Sequence, residues 1–295
     1  MKDIKEETII EEEEQKEHPL LKKIIIISIL IIVLSITYIN IIGTKVIEVK
    51  EYKIASLNLP TSFDGFKVIQ ISDIHYGTTI NNKELNNMVK KINELKPDII
   101  LFTGDLIDKN ININDTTKEE IIEILSRLEC TQYKYAIYGD EDYSNDNYEN
   151  IMTESDFILL DNESTLLYYK DKTPIMITGI SPIDTTPNYN IVSDTIDEID
   201  LTTLYRIILI HEPDAYDNIS YSNPDLVLAG HTLGNMIRIP GIENLFTAQN
   251  AKKYNKDYNK INGTDMFISS GLGTSNFKSR INNRPSFNLY RFYKE

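Results

Sequence analysis

The chain has 295 residues, 41% hydrophobic and 25% charged, the proportions of an ordinary folded protein, so disorder along the whole length is excluded. Its 45 acidic against 30 basic residues give a formal charge of −15, a field that repels nucleic-acid phosphates and anionic lipid and suits the collection of cations. A lone cysteine, Cys130, excludes a disulfide framework and a cysteine-based zinc cluster.

Residues 1–23 read as an acidic, disordered tail with the run Glu11–Glu14. Ile24 to Ile42 then carry no ionisable group apart from Tyr38. A helix of that length spans about 28 Å, close to the hydrocarbon thickness of a bilayer. A buried core helix would show a polar face, and a cleaved signal peptide would have a shorter apolar stretch followed by small residues. The run fits neither and reads as an uncleaved transmembrane anchor. The pair Lys22-Lys23 at its start places the tail inside. The expectation is a single-pass protein of the cell membrane whose domain, 46–295, lies outside the cytoplasm.

Beyond Val46 strands and helices alternate. Phe66–Ile71 reads as a strand. Asn81 with Glu84 three residues later makes a capping box, and Leu85, Met88, Val89, Ile92 and Leu95 recur at helical spacing. Asp98–Thr103 is a second strand, Thr117–Leu128 a helix and Lys134–Tyr138 a third strand. Further strands are expected at Ile175–Gly179, Arg206–Ile210, Asp225–Ala229, Asp265–Ser269 and Phe287–Phe292. This order predicts a layered α/β sandwich with mixed sheets.

The residues just past the strands carry the chemistry. VIQIS runs into Asp73 and His75, ILFTG into Asp105, YAIYG into Asp140, Glu141 and Asp142, IILI into His211, and LVLAG into His231. A lone Asp there is ordinarily a turn residue, and a lone His a core residue. Five strands ending this way are hard to explain as caps. Catalytic and ligand groups of α/β sheets gather at the carboxyl ends of strands. Three imidazoles with several carboxylates make a nitrogen–oxygen site suited to Mn, Fe or Zn. Arg238, Arg280 and Arg284 read as solvated surface charges, one of which can meet a phosphate.

In order and spacing, Asp73-Ile-His75, Gly104-Asp105, Gly139-Asp140-Glu141-Asp142, His211 and Gly230-His231-Thr-Leu233 resemble the motifs of calcineurin-like metallophosphoesterases. The membrane-anchored bacterial branch looks nearest. The resemblance implies a four-layered α/β/β/α sandwich and a phosphate ester hydrolysed with one or two divalent metals. Asp73 and His75 would hold the first metal, Asp105 would bridge, and Asp140, His211 and His231 would hold the second. Glu141 stands where the family has a histidine that assists the leaving group, and is the catalytic candidate. Leu233 replaces a metal-ligating histidine, so the first metal keeps Asp73, His75 and Asp105 alone. Two readings stay open: a hydrolase with weak or altered activity, and an inactive homologue that binds metal or a phosphorylated ligand. A phosphorylated small molecule or lipid is the expected partner in either case, together with the bilayer around the anchor.

Overall fold

The computed structural model describes residues 19–185, 187–192, 204–238, 241, 247–275 and 278–295. Most of the expected tail, residues 1–18, lies outside them. The apolar run forms helix α1 (Pro19–Thr37), continued by a π-turn at Tyr38–Ile42 and a helical turn at Gly43–Lys45. Pro19–Lys23, expected in the disordered tail, are helical. α1 is long and apolar enough to cross a membrane, and none of its residues is buried. At its foot a Cβ on Gly43 would come 2.5 Å from the Arg280 carbonyl oxygen, so only glycine permits this approach.

Strands β1 (Glu48–Ser56), β2 (Lys67–Ile71), β3 (Ile99–Phe102), β4 (Lys134–Ala136) and β5 (Phe157–Leu159) belong to a first sheet. β6 (Glu163–Leu167), β7 (Ile175–Gly179), β8 (Tyr205–Leu209), β9 (Leu226–Ala229), β10 (Tyr258–Ile261) and β11 (Thr264–Ile268) form a second, and β12 (Ser286–Lys294) returns to the first. The orders are β1-β12-β2-β3-β4-β5 and β10-β11-β9-β8-β7-β6. β2, β3, β4 and β5 run parallel, as do β7, β8, β9 and β11, while β12 opposes β2.

Alternation along the strands builds the layers. Val68 of β2 packs with Leu101, Ile177 and Leu228 between the sheets. Its neighbours Ile69 and Ile71 face outward onto α2 (Asn82–Leu95) and α3 (Asp115–Ser126), through Leu85, Ile92 and Ile121. α4 (Tyr148–Glu154) joins that layer through Ile151. On the far face Ile208, Val227 and Met266 meet Tyr216 and Ile219 of the short helix α5 (Tyr216–Ile219). The result is the expected four-layered α/β/β/α sandwich. The capping box of α2 forms, with the Asn81 side chain accepting from Lys83 N–H at 2.9 Å and Glu84 from Asn81 N–H at 3.2 Å. α3 begins at Asp115, not Thr117, because Asn114 caps it by accepting from Thr117 N–H at 2.8 Å. Periodicity missed β1, β5, β6, β10 and α4, which are short or half-exposed.

A buried amide ties the two sheets together. Gln70 Nε2 donates to the Ala229 carbonyl at 2.9 Å and to Thr103 Oγ1 at 3.0 Å, while its Oε1 accepts from the Tyr290 hydroxyl at 2.6 Å. A fully bonded polar group in the core fixes the relative position of the strands it joins. Three of the strands so joined, β2, β3 and β9, carry site residues at their carboxyl ends.

Candidate metal centre

The carboxyl ends of β2, β3 and β4 in one sheet and of β8 and β9 in the other converge. The chain must turn sharply where each strand stops, and Asp73 (φ 49°), His75 (φ 42°), Asp105 (φ 62°) and His231 (φ 67°) all adopt left-handed backbone. That conformation costs a non-glycine residue about 1–3 kcal/mol and persists where the surroundings over-determine it, which is common at functional sites. Gly104 clears the centre: a Cβ there would lie 2.6 Å from Nδ1 of His211.

The expected residues fall into two groups that share Asp105. Asp105, Asp140, His211 and His231 offer ligand atoms within 4.8 Å of one another, as do Asp73, His75 and Asp105. His211 Nε2 lies 3.3 Å from Asp105 Oδ2 and 3.0 Å from Asp140 Oδ1, and His231 Nδ1 is 3.0 Å from Asp140 Oδ1. In the other group His75 Nε2 is 3.5 Å from Asp105 Oδ2 and 4.0 Å from Asp73 Oδ1. The tautomers suit coordination. The Thr103 carbonyl, 2.7 Å from His211 Nδ1, takes that proton and leaves Nε2 free. The Gln249 carbonyl accepts from His231 Nε2 at 2.7 Å, which turns Nδ1 toward Asp140. Among the described residues, buried His211 Nε2 and Asp73 Oδ1 have no hydrogen-bond partner of good geometry. Orphaned buried atoms of these types fit a divalent cation between them.

The electrostatics agree. Burial by itself would lower the His75 pKa, but the Glu141 hydrogen bond and the charges of Asp105, Glu141 and Asp73 outweigh it and push it up to about 9. The same opposition, dominated by Asp105, raises His211 well above its ordinary value. For His231, burial is outweighed by Asp140. Burial would raise Asp140 and Asp105, yet the imidazoles hold both below the usual carboxylate range. Protons on the histidines thus balance carboxylates that a metal ion would otherwise neutralise.

Asp108 escaped the sequence reading, and several residues it named take roles it did not assign. Asp142 is buried and accepts from the N–H groups of Gly139 (2.9 Å), Leu106 (2.9 Å) and Asp105 (2.6 Å), binding the loops after β3 and β4 into one body. Burial, then Asp105, pushes its pKa up to about 7. Asp108 lies 3.8 Å from His75 Nδ1 and forms a third group with His75 and Glu141. Its only sequence signal is the spacing from Asp105. Glu141 is buried, with one carboxylate oxygen 3.2 Å from His75 Nδ1 and 2.9 Å from Lys109 N, which donates to it. Arg280, expected at the surface, is 1% exposed and donates to the carbonyls of Ser270 (2.8 Å) and Gly273 (2.6 Å) beside Asp73. Arg238 pairs with Asp257, and Arg284 is exposed. Leu233 is buried near Asp73: a Cβ on Gly271 would be 2.6 Å from Asp73 Cβ and 3.2 Å from Leu233 Cδ2. A cleft of about 450 Å³ opens over the centre, lined by Lys109, Glu141, His231, Leu233, Asn235 and Gln249, among others.

The sequence profile of the calcineurin-like phosphoesterase family matches residues 66–263. The chain is 30% identical to the uncharacterized metallophosphoesterase YkuE of Bacillus subtilis, over 86% of this chain and 88% of that one. It is 27% identical to the UDP-2,3-diacylglucosamine pyrophosphatase LpxG of Chlamydia trachomatis, over 62% of this chain and 69% of that one. A transmembrane protein with metallophosphoesterase domain from Danio rerio is 26% identical over 63% of this chain, which spans 44% of that protein.

Proposed function

The chain belongs to the calcineurin-like phosphoesterase family, and on that premise we propose that it is a membrane-anchored, metal-dependent hydrolase of a phosphate ester. The carrying observation is the four-ligand group Asp105, Asp140, His211 and His231, with both imidazole tautomers set by backbone carbonyls. Four nitrogen and oxygen ligands suffice for a tetrahedral site. Bound there, a divalent ion supplies Lewis acidity, acidifying water and neutralising charge on phosphoryl oxygens. The chain's own residues orient this chemistry. Thr103 and Gln249 turn the histidines, and Asp142 holds Asp105 and Asp140 in register. Glu141 acts through His75 as a positioning group. Lys109 lines the cleft, with its ammonium paired to Glu141 at 3.2 Å, and offers a cation for a phosphate.

Leu233 favours a second reading. It puts an apolar side chain where a ligand of the first metal is expected, which leaves Asp73, His75 and Asp105 as an incomplete set. On that reading the protein binds one metal, or a phosphorylated ligand, without turnover. The substrate class we favour is a phosphorylated lipid or envelope small molecule, supported by α1 and by the name of the Chlamydia relative. The domain lies outside the cytoplasm on the strength of Lys22-Lys23, and the net charge speaks against nucleic acid. Purified protein assayed with manganese on phosphomonoesters and phosphodiesters, beside Asp105→Ala, decides between the readings. Turnover that Asp105→Ala abolishes supports the hydrolase; metal binding without turnover supports the second reading.

A further inference from the structure

Two cavities meet at the foot of α1, away from the cleft. One, of about 390 Å³, is polar and takes in Lys50, Arg238, Arg280 and Arg284 beside the carboxylates of Glu48 and Asp257. The other, of about 510 Å³, is apolar and lies between Ile31, Leu34 and Ile39 of the anchor segment and the backbone around Ile281. Tyr38, Arg280 and Asn282 line both, so the two are halves of one slot.

The polar half holds four cationic side chains against two carboxylates. Lys50 Nζ is 2.9 Å from Asp257, and Arg238 pairs with the same carboxylate, so one anion serves two cations. Arg284 is exposed and has no ion pair among the described residues. The apolar half runs from Ile31 to Tyr38, about 10 Å of helix or a third of a bilayer's hydrocarbon thickness. Ile31 and Leu34 are 58% and 60% exposed. The chain's overall negative field is screened beyond about 8–10 Å, so the local cations decide what enters.

From this juxtaposition we propose that the slot binds one anionic phospholipid of the surrounding leaflet. Its phosphate sits among Lys50, Arg238 and Arg284, and an acyl chain lies along Ile31 and Leu34. The proposal rests on the reading that α1 spans a bilayer.

The test uses full-length protein in mild detergent, mixed with equal amounts of dioleoyl phosphatidylglycerol and dioleoyl phosphatidylcholine. Native mass spectrometry counts the lipids retained per chain. One phosphatidylglycerol is expected in clear preference to phosphatidylcholine. Arg284→Glu should lower its retention about tenfold, the weight of one charge-assisted contact. Ser35→Trp, which fills the apolar half, should lower it as well. Unchanged metal content establishes that both variants are folded. Equal retention of the two lipids, or wild-type retention by Arg284→Glu, overturns the proposal. So does displacement of the lipid by an equal concentration of glycerol phosphate, which would mean a site for phosphate alone. Flotation with phosphatidylcholine vesicles separates the premises. Protein that does not float removes the anchor reading and the slot with it, whereas protein that floats without preferring phosphatidylglycerol removes the slot alone.

Discussion

The carboxylate of Glu141 lies 3.2 Å from Nδ1 of His75, while Nε2 of the same ring faces Asp105 at 3.5 Å. A carboxylate behind one ring nitrogen fixes the proton there and turns the other toward the site. Loss of such a partner costs about 10–100-fold in metal affinity. Glu141→Ala should weaken the metal held by Asp73, His75 and Asp105 by that factor. Glu141→Gln, which keeps an acceptor oxygen, should weaken it less. Manganese titration by calorimetry measures both, and identical affinities in the three proteins would show that Glu141 does not orient His75.

Occupancy should be unequal. The group with four ligands is expected to retain about one metal per chain through chelator dialysis, with the second bound only at high added metal. His211→Ala should empty the tight site. Elemental analysis that finds two tightly held metals in the wild type would contradict this ordering.

Completing the weaker set tests what limits turnover. Leu233→His supplies the missing ligand and offsets the loss of the carboxylate that orients His75 when Glu141→His adds a proton donor. General acid–base help is typically worth about 10²–10⁴-fold, and groups that act as a unit give more together than separately. The double variant should therefore exceed the product of the single gains on a generic phosphodiester. Two bound metals without any gain would mean that the cleft itself has diverged from hydrolysis.

In chelator-treated protein His75 keeps its proton to about pH 9, against an ordinary 6.5. The folded state then binds this proton more tightly than the unfolded chain does. Its contribution to stability is complete below about pH 6.5 and is lost as pH rises toward 9. A bound divalent ion takes the proton's place, so metal-loaded protein should not show that decline. Thermal unfolding of the two forms across this range should give diverging curves, and parallel curves would refute the assignment.

Asp142 accepts three backbone N–H groups in the core. Each buried donor left unpaired costs about 1–3 kcal/mol, so Asp142→Ala should destabilise the domain by about 3 kcal/mol or more. Urea denaturation reads this directly. A loss under about 1 kcal/mol would mean that other acceptors or water take over.

The parts of the fold legible in the sequence were those written in local pattern. β2, β3, β8 and β9 are apolar runs buried on both faces, and α2 carries its capping box and spacing openly. The strand-end residues Asp73, His75, Asp105, Asp140, His211 and His231 were legible because polar groups interrupt those runs abruptly, and the structure brings all six together. Asp108, and the roles of Asp142 and Arg280, were not, since each owes its role to partners distant in sequence. Arg280 is held by carbonyls of Ser270, Gly273 and Leu233, and no rule of composition tells such a buried arginine from a solvated one. β1 was missed because most of it is partly exposed, its pairing with β12 being settled across the whole length of the domain.

The contact between Gly43 and the Arg280 backbone bears on reach. Only Val46 and Ile47 separate the last helical turn from β1, so no tether lies between the anchor segment and the domain. A bilayer around α1 would then hold the cleft at one standoff and one tilt, leaving lateral diffusion and spin about the membrane normal as the large motions available to it. Under that arrangement, ester groups presented at that height would meet the cleft by two-dimensional search. Those much farther from the surface, or buried beneath it, would not come within its working radius.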